Sequence, residues 1–457
     1  MNLDRRRFLG LIIAAGATSA TSLVAACVQT APSSSTSTTA GGAGVAPTAA
    51  PAVATKQQLS EVVVGAAYPL SGAASPAGLD SKAALELAVE MVNTPGPLAG
   101  SRLLLSEGKG LPNLGGARVR AVITDHQGDP ARGQGEAERL ITQEKVAVLF
   151  GMYQSAVTLT ASQVAERLGV PYFTAESSSP TLSARGFKWF FRSTPHDEHF
   201  SRAMFDFLKD LQAKRGAQVR TLGLTYEDTE FGTSSARVQK DLAQKAGYEV
   251  KEEIQYRSQS TSLTTEIQRL KAAQPDVWLP TSYVSDAILM VKTSQELDYN
   301  PKIVIAQDSG HSDAAFIQQV GRQAEGYTSR AVYSPDLQTK IPALKQLNEL
   351  FKARTGHDIT DVPARVFTGA LVLFDALNRA GSVEPERIRQ ALLATDIKTE
   401  QIPLPWKGVK FDPQTGQNEE GTPIIVQLQD AAYNTVWPFE FAAREVVYPI
   451  PEWSRRA

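Results

Sequence analysis

From Glu61 onward the chain alternates two hydrophobic patterns. Short apolar runs read as buried strands, and between them apolar residues recur at helical spacing. "VVVGAAYPL" is the first run, followed by Leu85, Val89 and Val92 in a helix expected over 80–93. "VRAVITDH" predicts a second strand ahead of a helix carrying "GEAERLITQE". "VAVLFGMY" predicts a third ahead of "TLTASQVAERLG", and "VPYFTAE" a fourth. Near Val219 the alternation restarts. "VRTLGLTYED" leads a helix expected over 234–247, "YEVKEEIQY", "PDVWLPTSY" and "KIVIAQDSG" are strands, and "LTTEIQRLKAA" and "DAILMVKTSQEL" are helices. Such alternation implies parallel sheets covered on both faces. The fold class expected is therefore α/β, with two doubly wound parallel-sheet lobes.

"FKWFFRSTPHDEHF" lies between the lobes as an aromatic strand ending in polar residues and Pro195, without the Gly and Ser of a flexible linker. After "EGYTSRAVYSP" come helices in "ARVFTGALVLFDALNRAG" and "PERIRQALLAT" that need a sheet to cover. The chain is thus expected to return to the first lobe. Several crossings make a hinge that permits closure but not free tumbling.

Composition adds little to the folded part and more to its start. A length of 457 residues suits two domains, and 42 % hydrophobic with 21 % charged residues suits a globular chain. A net charge of −2 gives no basic footprint for nucleic acid. The single cysteine, Cys27, rules out intramolecular disulfides and cysteine-based zinc sites. It ends "MNLDRRRFLGLIIAAGATSATSLVAAC", in which Arg5, Arg6 and Arg7 precede an apolar run diluted by Gly, Thr and Ser. That is the layout of a signal peptide, and it makes a poor permanent span. "DRRRFLG" resembles a twin-arginine export signal, with Asp4 where Ser or Thr is usual, and "VAAC" resembles a lipobox whose cysteine is lipidated. Residues 1–26 are therefore expected as signal peptide, and 27–60 as lipid anchor and disordered tether, with no aromatic residue after Cys27. About 33 residues of such coil reach roughly 30 Å. The folded domain would work near a membrane surface.

In open parallel sheets, ligands bind beyond the carboxyl ends of the strands, where helix N-termini favour anions. The strand-to-helix turns are therefore the candidate sites. "FGMYQSAVT" puts Ser155 at a helix start, as an N-cap or as a ligand hydroxyl. "VPYFTAESSSP" ends a strand in Glu176, Ser177 and Ser178, either a solvated turn or a row of ligand-binding groups beside Ser155. In the second lobe Tyr283 ends one strand, packing at its edge or facing a ligand. Asp308 ends another, as a cap or as the partner of a ligand ammonium. "HDEH" (His196 and His199) lacks a third ligand at metal spacing and reads as a polar helix start. No Walker A loop, G-x-S-x-G elbow, G-x-G-x-x-G fingerprint or H-E-x-x-H helix occurs, so no metal or cofactor is expected and an enzyme has no positive support.

The markers "YPLSG", "ALELAVEMVN", "TDHQGDPARG", "GMYQSA", "PTLSARGFKWFFRSTP", "YEDTEFG", "AQDSG", "AEGY", "LFDALNRAGS" and "GVKFDPQTGQ" occur in this order from Val62 to about Gln429. Together they resemble the leucine/isoleucine/valine-binding group of type I periplasmic binding proteins, the substrate-binding lipoproteins of ABC transporters. The resemblance implies two lobes joined by three crossings, near Arg192 to Pro195, Thr328 to Tyr333 and Asn418. One lobe would span 61–193 plus 333–418, the other 194–332 plus 419–457. It further implies a carboxylate clamp at Ser155, Ser177 and Ser178, an ammonium seat at Asp308, and Tyr283 closing from the second lobe.

Three positions depart from the group. Ala77 stands where an aromatic is usual, Phe231 replaces a tyrosine before Gly232, and Glu176 replaces a small residue beside the clamp. An ionised Glu176 there would repel a simple carboxylate. The function implied is a membrane-tethered receptor that takes an amino acid or similar small organic solute to an ABC permease. Two alternatives stay open: an amide, urea-like or aromatic-acid receptor on the same fold, and an exported α/β hydrolase using Glu176 with a nearby hydroxyl.

Overall fold

The computed structural model describes residues 58–456. The signal-peptide, Cys27 and most of the tether expectations lie outside the described residues. β1 (Glu61–Tyr68) is followed by α1 (Ser75–Asn93), β2 (Arg118–Asp125), α2 (Pro130–Thr142), β3 (Val148–Gly151), α3 (Ser155–Leu168), β4 (Tyr172–Thr174) and β5 (Phe190–Arg192). These strands form one sheet in the order β2-β1-β3-β4-β5, and every pairing is parallel. β3 and β4 are buried throughout because helices cover the sheet on both sides.

α4 (Asp197–Arg215) opens the second lobe. β6 (Thr221–Glu227), α5 (Glu230–Ala246), β7 (Glu249–Tyr256), α6 (Thr264–Ala273), β8 (Val277–Thr281), α7 (Val284–Glu296), β9 (Ile303–Ala306), α8 (Ala314–Val320) and β10 (Thr328–Ala331) follow. The chain then runs through α9 (Pro342–Thr355), α10 (Asp361–Ala380) and α11 (Pro385–Leu393). The short strands β11 (Ile397–Lys398) and β12 (Gly408–Val409) come next, then β13 (Ile424–Gln429) and β14 (Ala432–Trp437). The second sheet has the order β14-β13-β10-β9-β8-β6-β7.

This sheet is parallel from β10 to β7, as expected, and antiparallel only at its other end. β13 runs antiparallel to β10, and β14 antiparallel to β13. The β13–β14 turn at Asp430 and Ala431 has positive φ at both residues (56° and 58°), the twist a two-residue hairpin requires. Neither residue is the glycine that usually announces such a turn. Two helices also begin earlier than their apolar spacing suggests. α1 starts at Ser75, with Pro76 in its first turn, and α5 starts at Glu230.

α9 and α10 pack on α1, and α11 packs on α10, so the chain does return to the first lobe. α10 is apolar almost all round because it is enclosed on every side. At Gly369 an added Cβ would come within 2.6 Å of Ala175 Cβ. Glycine there lets α10 press against the turn after β4, one helical turn beyond Arg365. The crossings are tied together. Arg192 Nε donates to Gln417 Oε1 (2.6 Å), Asn418 Nδ2 to Ser193 O (2.9 Å), and the Val332 and Tyr333 N–H groups to Asp361 Oδ1 (2.6 and 2.9 Å).

Candidate functional site

Strand order in each sheet reverses at one place, between β1 and β3 in the first and between β6 and β8 in the second. Loops diverge there and leave a crevice at the carboxyl ends of the strands. On the first wall, β3 ends at Gly151. Met152 and Tyr153 then take positive φ (76° and 50°) before α3 begins. On the second wall, Asp308 and Ser309 do the same (55° and 52°). Non-glycine residues rarely adopt this conformation, and it gathers where structure holds functional groups in place. The two turns meet, since Tyr153 OH and Ser309 Oγ are 2.8 Å apart in a buried hydrogen bond. Within the second wall, Gly310 lets this turn lie against the start of α7, because a Cβ there would lie 2.3 Å from the Tyr283 carbonyl carbon.

Ser155, Glu176, Ser178, Phe231, Tyr283 and Asp308 line one cavity of about 20 Å³ between these walls, room for about one water molecule. The lobes are closed over it. Further bonds cross the cleft nearby, among them Ser179 Oγ to Glu230 Oε1 at 2.6 Å. Ser155 is the first residue of α3 and not its cap. Gln154 occupies the cap position, and Ser155 Oγ accepts the Ser179 N–H at 3.3 Å. Ser177 does not line the cavity. Its hydroxyl donates to Tyr153 O (2.9 Å) and sits 2.6 Å from Thr158 Oγ1, bracing the wall from behind. Tyr283 caps α7 by position, and its ring lies 5.8 Å from Tyr153 and 5.4 Å from Phe231. Ala77 is buried on α1, away from this cavity.

Asp308 is wholly buried; it holds the cap position of a short 3-10 turn over Ser309–His311 but makes no side-chain capping bond, and its carboxylate is turned to the protein's own cations. Its Oδ2 accepts from Arg330 Nη1 (2.8 Å) and from Arg365 Nη2 (2.5 Å), and Ser312 Oγ donates to Oδ1. Burial alone would raise its pKa, but the two guanidiniums hold it below the usual carboxylate value. Glu176 is the opposite case. Tyr68 OH donates to Oε1, and Thr174 Oγ1 and the Ala175 N–H donate to Oε2, each at 3.1 Å. Burial outweighs these bonds and raises its pKa. Glu176 is thus turned into the wall and biased toward its neutral form, which removes the expected repulsion of a ligand carboxylate.

Four residues complete the cavity that the sequence reading did not reach: Tyr153, Ser309, Arg330 and Arg365. The arginines carried a signal. Arg365 sits in the apolar run "ARVFTGALVLF" and Arg330 in a strand, and a buried arginine requires a partner. Arg365 also reaches Glu176 O (3.3 Å) and lies 2.7 Å from Asp361 Oδ2, off the line of its Nε–H. Arg330 stacks 3.6 Å over the Phe200 ring, and its Nε has no hydrogen-bond partner. His196 Nδ1 accepts the Glu198 N–H at 3.2 Å, capping α4, and His199 stacks on it.

The chain shares 32 % identity over 395 residues with Leu/Ile/Val-binding protein homolog 8 of Brucella abortus, covering 83 % of this chain and 91 % of that one. Two solved structures share the fold. One is the branched-chain amino acid transporter substrate-binding protein LivJ of Streptococcus pneumoniae in complex with isoleucine. Its TM-score is 0.68 at 17 % identity, over 85 % of this chain and all of that chain. The other is a solute-binding protein of an ABC transporter from Rhodopseudomonas palustris in complex with 3,4-dihydroxybenzoic acid. Its TM-score is 0.69 at 18 % identity, over 86 % of this chain and 99 % of that chain. Residues 61–432 match the family described as periplasmic binding protein, and the chain belongs to that family.

Proposed function

We propose that the chain is an extracytoplasmic receptor that captures an amino acid or related small organic solute between two closing lobes and hands it to an ABC permease. The observation that carries this reading is the convergence of turns from both sheets on one buried, polar and ring-lined cavity at the switch points. The lobes comprise 61–193 with 333–418, and 194–332 with 419–457, and the crossings between them act as the hinge. A binder without turnover fits the roles of the acidic groups. The hydroxyls bonded to Asp308 and Glu176, those of Ser312, Thr174 and Tyr68, lie in the wall and not among the residues that line the cavity, so no carboxylate–hydroxyl pair faces a bound solute. Ser155, Ser178, Tyr283 and Phe231 contact the solute, and Ser177 supports them from behind. Cys27 carries the lipid that holds the receptor at the membrane.

Native mass spectrometry of the undenatured protein is expected to show a co-purified small organic solute, released unchanged. Adding that solute back should contract the particle in small-angle scattering and raise the melting temperature by mass action. Turnover of the solute, or an unchanged radius of gyration with a tight ligand, would overturn the receptor reading. Cys27→Ala should move the protein from the membrane to the soluble fraction, and retention in the membrane would refute the anchor.

A further inference from the structure

The polar groups around the cavity are unevenly divided between donors and acceptors. Every carboxylate oxygen that lines it is already engaged. Asp308 Oδ2 takes two guanidinium N–H groups and Oδ1 takes the Ser312 hydroxyl. Glu176 Oε1 takes Tyr68, and Oε2 takes Thr174 and the Ala175 N–H. An ammonium brings three donors and a full charge, and here it would have to share Asp308 with two guanidiniums of its own sign. The seat that the family resemblance gives to an α-ammonium is filled by the protein's own Arg330 and Arg365.

Donors, by contrast, are in surplus. Arg330 Nε is buried with no partner, and Arg330 Nη2 stands 3.9 Å from Asp197, beyond hydrogen-bond reach. The Ser155 hydroxyl accepts a bond from Ser179 and keeps its own proton to give. Both residues line the cavity, and α3 points its N-terminus into the same wall. A buried unsatisfied guanidinium donor is rare in native structures and calls for an acceptor. The rings of Tyr153, Tyr283 and Phe231 stand beside these donors, at spacings suited to edge or offset stacking.

We infer that the solute is an aromatic carboxylate lacking an α-ammonium, with its carboxylate on Arg330 and Ser155 and its ring among Tyr153, Tyr283 and Phe231. This narrows the receptor reading and rests on it. The lobes must part to admit such a molecule, since the closed cavity holds about one water.

Calorimetry on the full chain with two matched pairs tests it: benzoate against benzamide, and phenylpyruvate against L-phenylalanine. Each carboxylate without an ammonium is expected to bind at least tenfold tighter than its partner. Arg330→Gln should weaken benzoate and phenylpyruvate at least tenfold and remove their advantage over benzamide and L-phenylalanine. If Arg330→Gln does not fold, Arg330→Lys keeps the charge beside Asp308 but removes the Nε donor. It should hold the melting temperature and still lose affinity for both carboxylates. L-Phenylalanine binding as tightly as phenylpyruvate, or benzamide as tightly as benzoate, would overturn the inference while leaving a receptor. Silence toward all four probes would overturn it too, and the co-purified solute then decides the receptor reading separately. Conversion of any bound probe would overturn both.

Discussion

Arg365 Nη2, carried by α10 on the first lobe, lies 2.5 Å from Asp308 Oδ2 at the end of β9 on the second. Both side chains are sealed from water, so the closed cleft is spanned by an ion pair of the protein's own. Desolvation cancels much of the attraction in such a pair, yet removing one member leaves a buried charge short of a partner. Arg365→Met is therefore expected to cost about 3 kcal/mol in urea unfolding. The exposed pair of Arg120 and Glu61, at 3.2 Å, gives the contrast. Arg120→Ala should cost less than about 1 kcal/mol. Equal, small effects of the two substitutions would mean the buried pair contributes nothing.

A second relationship sets a pH dependence. His357 Nε2 lies 3.2 Å from Asp80 Oδ1, at a groove of about 490 Å³ between α1 and α8. Asp313 faces them from the start of α8. Lys82 and Glu86 on α1 pair with each other at 2.8 Å, and Arg354 on α9 pairs with Glu90 at 2.5 Å. The hydrogen bond to Asp80 raises the His357 pKa to about 8, against partial burial. Because the folded value exceeds the unfolded value of about 6.5, the stabilisation is complete below about pH 6.5 and is lost as pH rises through 8. Asp313, pushed up to about 7 by burial, loses its share lower, as pH rises from about 4 toward 7. Calorimetric melting should thus show a decline in Tm above about pH 6.5 that is smaller in His357→Gln, which keeps only the part due to Asp313. A decline of equal size in the variant would assign it to another group.

The alternation of apolar runs was enough to read the lobes, because a strand buried on both faces must be apolar and its crossover helices must be amphipathic. The antiparallel β13 and β14 escaped that reading. They lie at one end of the second sheet, and their turn uses Asp430 and Ala431 where Asn-Gly would have marked it. Strand-end turns named Ser155, Glu176, Ser178, Tyr283 and Asp308 because topology alone brings such turns together. Direction within a turn is another matter. Ser177 and Ser178 are adjacent in "ESSSP", yet one hydroxyl faces Tyr153 O and the other residue lines the cavity. Arg330 and Arg365 come from a crossing strand and a returning helix, remote in sequence from every turn, so no local pattern could place them beside Asp308.

Glu176 supplies the last prediction, through the ionisation of a group that borders a ligand. Its carboxyl is buried against Tyr68, Thr174 and the Ala175 N–H, and burial raises its pKa despite those donors. In the neutral form, one oxygen keeps the Thr174 and Ala175 bonds while the protonated one faces the Tyr68 hydroxyl, which can accept. Glutamine satisfies the same arrangement, with its carbonyl toward Ala175 and its NH₂ toward Tyr68. Glu176→Gln should therefore leave stability within about 1 kcal/mol of the parent at pH values below the folded pKa of Glu176. A folded pKa above the unfolded one means that the parent loses stability as pH rises through the folded value, and the glutamine variant lacks that loss. Binding of a carboxylate should follow the same sign. As pH rises, Glu176 ionises beside the bound anion and the parent loses affinity by like-charge repulsion. The variant holds its affinity over the same range. Calorimetric titration of benzoate into both proteins at stepwise pH measures the difference. If the two curves run parallel, Glu176 keeps one charge state throughout and takes no part in admitting the anion.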